Sequence, residues 1–320
     1  RALDSLPERE SKPVRRFSAK KIVCAGLAAA LCIGGTAFAA NAQSWFPLLF
    51  PNGGDANLEG YVQTADNAKL TDENEHYRLS VESVLFDESA GTGVISLHLE
   101  NKKQDGVKPF TLAHLIDSYR NKPDITWSTL SSCYAEEGQL SFEVMYGDSG
   151  FCGSEFYLDT ARSTDNDYYF EGAFAISSDY RQGEPLRLEA LEPGKTTVRA
   201  DGAGTAKTVL AVDLPEFQQM PYLTSENGDV TLSQIGIRIR NADMHCTVDE
   251  VDKLSVQLRD GSEYVILDEN ADIDRTLYTY GFNSTEDTDR IDTEIAVLAR
   301  AFDLDNVQSV TINGEVYPLS

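Results

Sequence analysis

The sequence predicts an all-β protein, most economically two β-sandwiches, preceded by one transmembrane helix. Three observations carry that expectation. β-Branched and aromatic residues recur in short alternating runs, as a sheet with one buried face demands. Two-residue turn signals, Asp260-Gly261 and Asn313-Gly314, punctuate such runs. A single long uncharged stretch lies near the start, with basic residues before it and an acidic chain after it. At 320 residues the chain is long enough for about two folded units. A composition 41% hydrophobic, with 14 Tyr and 14 Phe, supplies the apolar area that repays ordering it.

The elements follow in chain order. Residues 1–21 hold Arg1, Arg9, Lys12, Arg15, Arg16, Lys20 and Lys21 against Asp4, Glu8 and Glu10, a net +4. They read as a basic cytoplasmic tail, and the start at Arg1 rather than Met leads us to expect a longer one. Residues 22–40, IVCAGLAAALCIGGTAFAA, contain no charge and would rise about 28 Å as a helix, close to the bilayer's hydrocarbon thickness. The transmembrane helix is set at 22–42, with the later chain outside and Trp45 and Phe46 at the outer interface. The rival is a cleaved signal peptide, because Ala37-Phe38-Ala39 and Ala40-Asn41-Ala42 fit the small-x-small pattern; the protein would then be secreted.

Residues 43–75, interrupted by Pro47, Pro51, Gly53 and Gly54, are expected to be a linker. A first sandwich is expected over 76–200. Tyr77, Leu79 and Val81, a bulge, then Val84 and Leu85 pair with Val94–Asn101 as a hairpin. Leu140–Tyr146, Glu155–Asp159, Tyr168–Ile176 and Leu186–Leu191 continue it, while Leu112, Leu115, Ile116 and Tyr119 have the spacing of one short helix. The stretch 192–205, with Pro193, Gly194, Gly202 and Gly204, either separates domains or merely joins strands, and a second sandwich is expected over 206–320. That one opens with Thr208–Val212 and continues through Val230–Leu232, Ile235–Ile239 and Leu254–Leu258 with Tyr264–Leu267. It closes with Val307–Ile312 and Val316–Leu319. The stretch from Ile291 to Phe302 fits either period, and its all-β neighbours favour a strand.

No catalytic constellation emerges. There is no GxSxG, and His76, His98, His114 and His245 are scattered without zinc-ligand spacing. Paired carboxylates cannot be singled out among 52 Asp and Glu. Asp268, Asn270, Asp272 and Asp274 fall at positions 1, 3, 5 and 7 of an EF-like loop, but Ile273 and Thr279 replace its Gly and Glu. They stand as weak cation candidates, together with Asp287, Asp289 and Asp292, against a solvated acidic loop. Cys133 and Cys152 are a candidate disulfide, given an oxidising location. Cys24 and Cys32 act as small hydrophobes in the apolar stretch, and Cys246 is left over. No cofactor is expected. The net charge of −25 leaves −29 beyond residue 21 and argues against nucleic-acid partners.

The layout as a whole, with VTLSQIGIRI at Val230–Ile239 and the ending VQSVTINGEVYPL at Val307–Leu319, resembles the bacterial family called domain of unknown function 4179. That resemblance implies an immunoglobulin-like sandwich outside the membrane in Firmicutes. It also implies an extracytoplasmic-function sigma factor as cytoplasmic partner, with a role in envelope sensing or anti-sigma control. It carries no catalytic residues, and Arg1–Lys21 is too short to fold as a sigma-binding domain. The function expected is a membrane-anchored extracellular module that binds an envelope ligand or protein, not an enzyme. The alternatives are a structural or adhesive surface protein and, less favoured, a secreted hydrolase.

Overall fold

The computed structural model describes residues 46–50, 54–65, 70–110, 112–114, 128–130, 139–147, 150–176, 183–192, 207–241, 251–283 and 292–320. All lie within Ala40–Ser320, which forms one compact unit. The expected tail and transmembrane helix lie outside them. Among the described residues no helix is long and apolar enough to cross a membrane, and the elements are antiparallel strands with short 3-10 turns between them.

The first sandwich is built on the hairpin Tyr77–Asp87 and Thr92–Asn101. Its register shifts between Val81 and Ser83, the expected bulge. One extra residue reverses which side chains face inward. Leu79 and Val81 enter the first core before the bulge, Val84 and Phe86 after it, and Leu85 is turned to the opposite face. Asp167–Ala175 and then Gly153–Leu158 extend this eight-stranded sheet. Its inner face contributes Ile95, Leu97, Leu99, Phe156, Tyr168, Phe170 and Phe174 to the core. Gly172 is required here because a Cβ would collide with the Phe156 ring on the neighbouring strand. A four-stranded sheet of Lys207–Asp213, Leu186–Glu192, Ser141–Tyr146 and Gly150–Phe151 closes the other side.

The second sandwich packs two five-stranded sheets. One contains Tyr222–Thr224, Val230–Ser233, Gly236–Asn241, Asp292–Leu298 and Thr276–Asn283. The other contains Ile273–Asp274, Glu263–Asp268, Lys253–Leu258, Val307–Ile312 and Glu315–Pro318. Leu232, Ile237, Val256, Ile266, Val310 and Ile312 meet between them. The terminal hairpin turns at Asn313 and Gly314, both at positive φ (49° and 89°), as the Asn-Gly signal requires. Thr224 and Ser320 exchange both backbone hydrogen bonds, tying the chain end to the facing sheet.

Three expectations are corrected. The segment read as a linker is packed: Phe46, Leu49, Phe50, Ala56, Leu58 and Val62 are buried in a third core. Gln63–Thr64 and Thr71–Glu73 already pair with Tyr77–Asp87, so the first sandwich begins before residue 76. Thr208–Val212 pairs with Leu186–Glu192 and belongs to the first sandwich, not the second. Leu112–His114 is a strand paired with Ser128–Leu130, where a helix was expected; residues 115–127 lie outside the described set. The ambiguous stretch is the strand Asp292–Leu298.

Candidate functional site

The outward face of the first sheet divides into two halves. In the apolar half, Leu85, Val94, Tyr157 and Ala173 meet Ile235, Leu277, Val297 and Ala299 of the second sandwich. A strap, described over residues 46–50 and 54–62, is wedged into the same contact. Asp55 donates its amide to the Ala301 carbonyl (2.9 Å) and its carboxylate pairs with Arg300. The other half is polar and open.

Strand register assembles that open half. Arg78 lies opposite Glu100, Ser80 opposite His98, and Tyr169 opposite His98 on its far side. Alternation sends all of them to one face. Thr71, Arg78, Ser80, His98 and Glu100 line a shallow cleft of about 460 Å3. Behind it, His98 Nε2 lies 3.0 Å from Asp167 Oδ1, and its ring stacks on Tyr169 at 4.4 Å. Arg162 covers Tyr169 (4.1 Å to the ring centre) and donates to both oxygens of Glu82 (3.1 and 2.9 Å). Burial, and then the Glu82 charge, push the Tyr169 phenol up, so it stays neutral. At the rim, Arg78 reaches Glu73 (3.3 Å) and Glu100 (4.0 Å).

The cleft offers a guanidinium, two hydroxyls, an imidazole held in place and a carboxylate, which is equipment for reversible polar recognition. Hydrolysis fits it poorly, although Asp167, His98 and Ser80 are the residue types of a triad. The Ser80 hydroxyl is engaged by Thr71 (3.3 Å) rather than by His98. The strands that carry Ser80 and His98 are paired with each other along the ladder, which commits their amides there to strand pairing rather than to an oxyanion.

The residues singled out from sequence do not assemble. Asp268 accepts from the amides of Asn270 (3.1 Å) and Ala271 (3.3 Å), capping a 3-10 turn. Asp272 closes that turn at φ 53°. Asp274 accepts from the Thr276 amide (2.9 Å) and hydroxyl (2.7 Å). The carboxylates of Asp268 and Asp274 serve their own turns, and among the described residues no three His, Cys, Asp or Glu side chains group as a metal site. Asp287 and Asp289 lie outside the described residues, as do His245 and Cys246. Cys152 is a buried free thiol whose pKa burial raises, and Cys133 lies outside the described set. His98 is the one expected histidine found in the cleft; His76 only packs edge-on against Tyr77.

Sequence reading missed the buried charges of the contact between the sandwiches. Glu171, 1% exposed, accepts from the amides of Leu48 and Leu49, both at 2.9 Å. Desolvation outweighs those bonds and pushes its carboxyl up to about 7. Asp87, wholly buried, is raised by desolvation too, although the Ser233 hydroxyl and the Arg238 guanidinium partly offset it. The available signal was a lone acid inside an apolar alternation, Glu171 in DYYFEGAFA and Asp87 at the end of VLFD.

Fold and site together define an all-β protein of sandwich-like sheets with an open polar cleft on one sheet face. A scan against protein-family models found no match, and neither the curated proteins nor the solved structures gave one.

Proposed function

We propose that this chain is a membrane-anchored extracellular binding module, with two immunoglobulin-like sandwiches, that recognises a polar envelope ligand or protein at the Thr71–Arg78–Ser80–His98–Glu100 cleft. The observation that carries this reading is the cleft itself: donors and acceptors held rigidly on an open sheet face, without the amide donors that catalysis of acyl transfer needs. The strap supports the anchored part. Only residues 41–45 separate it in sequence from the uncharged stretch 22–40, and its described residues pack against both sandwiches. Control of an extracytoplasmic-function sigma factor on the cytoplasmic side is the output implied by the family resemblance.

The test is sedimentation with purified cell-wall fragments, alongside protease treatment of intact cells. Wild-type chain is expected to bind and to be cut from outside. Arg78→Ala and His98→Ala should each weaken binding by about tenfold, roughly 1.4 kcal/mol. Arg78 is half exposed, so its replacement should change melting little; His98, 21% exposed and stacked on Tyr169, should lower the melting temperature modestly when replaced. Binding unaffected by either substitution would refute the assignment of the cleft, and protection of the chain in intact cells would refute the topology.

A further inference from the structure

Glu171 is a buried carboxyl that the proposed binding site does not use, and its two oxygens are treated differently. Oε2 accepts both strap amides, from Leu48 and Leu49. Oε1 is buried without any hydrogen-bond partner. That division suits a neutral carboxylic acid better than an ion: the carbonyl oxygen takes two donors, and the hydroxyl lacks only an acceptor, a smaller penalty than a buried charge without a donor. It mismatches a carboxylate, which would leave half its charge on an oxygen with no donor.

The surroundings offer little to hold a charge. The strap presents only Phe46, Pro47, Leu48, Leu49 and Phe50 here. On the preceding strand the residue opposite is Ser96, which donates instead to Glu82 (3.3 Å). On the following strand it is Tyr157, which donates to Glu155 (2.6 Å) and to the Leu277 carbonyl of the second sandwich (3.1 Å). Asp159 repels a charge at Glu171, and Arg162, which would attract one, is committed to Glu82.

We infer that Glu171 is a proton-operated latch: neutral, it seats the strap between the two sandwiches, and on ionisation it favours release of the strap and opening of that contact. Released, the carboxyl returns to water and an ordinary pKa. The docked state therefore holds a proton that the released state has lost, and docking weakens as pH rises. With about 7 docked and 4.5 released, the docked-to-released ratio falls up to about 300-fold across that interval, and its loss is complete above the docked value. The latch stands whether or not the cleft binds a wall ligand, since it concerns the seating of the strap alone.

Hydrogen exchange on the full chain in detergent tests it, following the peptide that contains Leu48 and Leu49 at pH 5 and pH 8 after correction for intrinsic exchange. Wild type should lose protection there by up to about 70-fold, since part of the 300-fold range lies below pH 5. Glu171→Gln, neutral throughout, should hold protection nearly constant. Equal pH dependence in the variant, or none in wild type, would overturn the latch. Should the variant fail to fold, carboxyl-carbon NMR of wild type decides the matter: titration of Glu171 near 7 supports the latch, and titration near 4.5 refutes it.

Discussion

Asp87 illustrates what a single residue does where two sheets meet. It ends the strand Tyr77–Asp87, lies opposite Thr92, and accepts from the Ser89 amide at 2.9 Å. Arg238, reaching across from the second sandwich, is half-buried with its Nε unpaired, and burial lowers its pKa. Its charge offsets part of the desolvation of Asp87, after the Ser233 hydroxyl and the Ser89 and Ala90 amides. Asp87→Ala is expected to cost about 1–3 kcal/mol, because it leaves buried donors without their acceptor and removes the charge that faces Arg238. Urea denaturation measures that cost. Asp87→Ala with Arg238→Met should recover part of it; a double variant no more stable than the single one would count against the coupling.

At the scale of elements, the strap and the bulge matter most. The bulge after Val81 lets one strand feed two cores, Val84 and Phe86 to one side and Leu85 to the other. The strap fills the space left between outward faces. Leu49, wholly buried there, should cost about 3 kcal/mol when cut to alanine, and limited proteolysis should then cut first between residues 46 and 62. Resistance equal to wild type would mean that the segment is not seated by packing. Gly236 shows how closely the sandwiches approach: a Cβ there would collide with the Thr92 side chain. Gly236→Ala is expected to destabilise by about 1–3 kcal/mol through overpacking, read as a lowered melting temperature.

For the whole molecule, three apolar cores share strands. The first sheet serves both its own core and the contact, and the sheet carrying Val297 and Ala296 does the same on the other side. Unfolding should therefore appear as one calorimetric transition at pH 5. The Leu49→Ala variant should separate it into two, since each sandwich retains its own core. Two transitions already present in wild type would show that the contact contributes little.

How much of this was legible in the sequence differs by scale. Strand positions largely were, because period-2 alternation and turn chemistry are local: the bulge near residue 82 and the Asp260-Gly261 and Asn313-Gly314 hairpins follow from neighbours along the chain, whereas the stretch from Ile291 to Phe302 fitted either period until the sheet made Asp292–Leu298 a strand. The cleft was not, because Arg78, Ser80, His98 and Asp167 become neighbours only through register between strands far apart in sequence. The acidic run from Asp268 to Asp274 looked like a ligand set because its spacing is regular. The carboxylates of Asp268 and Asp274 are spent on local amides. The sequence alone determined an all-β class and most strand limits, since a pleated backbone needs only alternation and permissive turns. Tertiary structure decided that residues 46–62 are mortar rather than linker, that Lys207–Asp213 joins the first sandwich, and that Glu171 is shut away from water. Those outcomes depend on which faces are left uncovered once the sheets have formed, a property no stretch of chain possesses before it meets its partners.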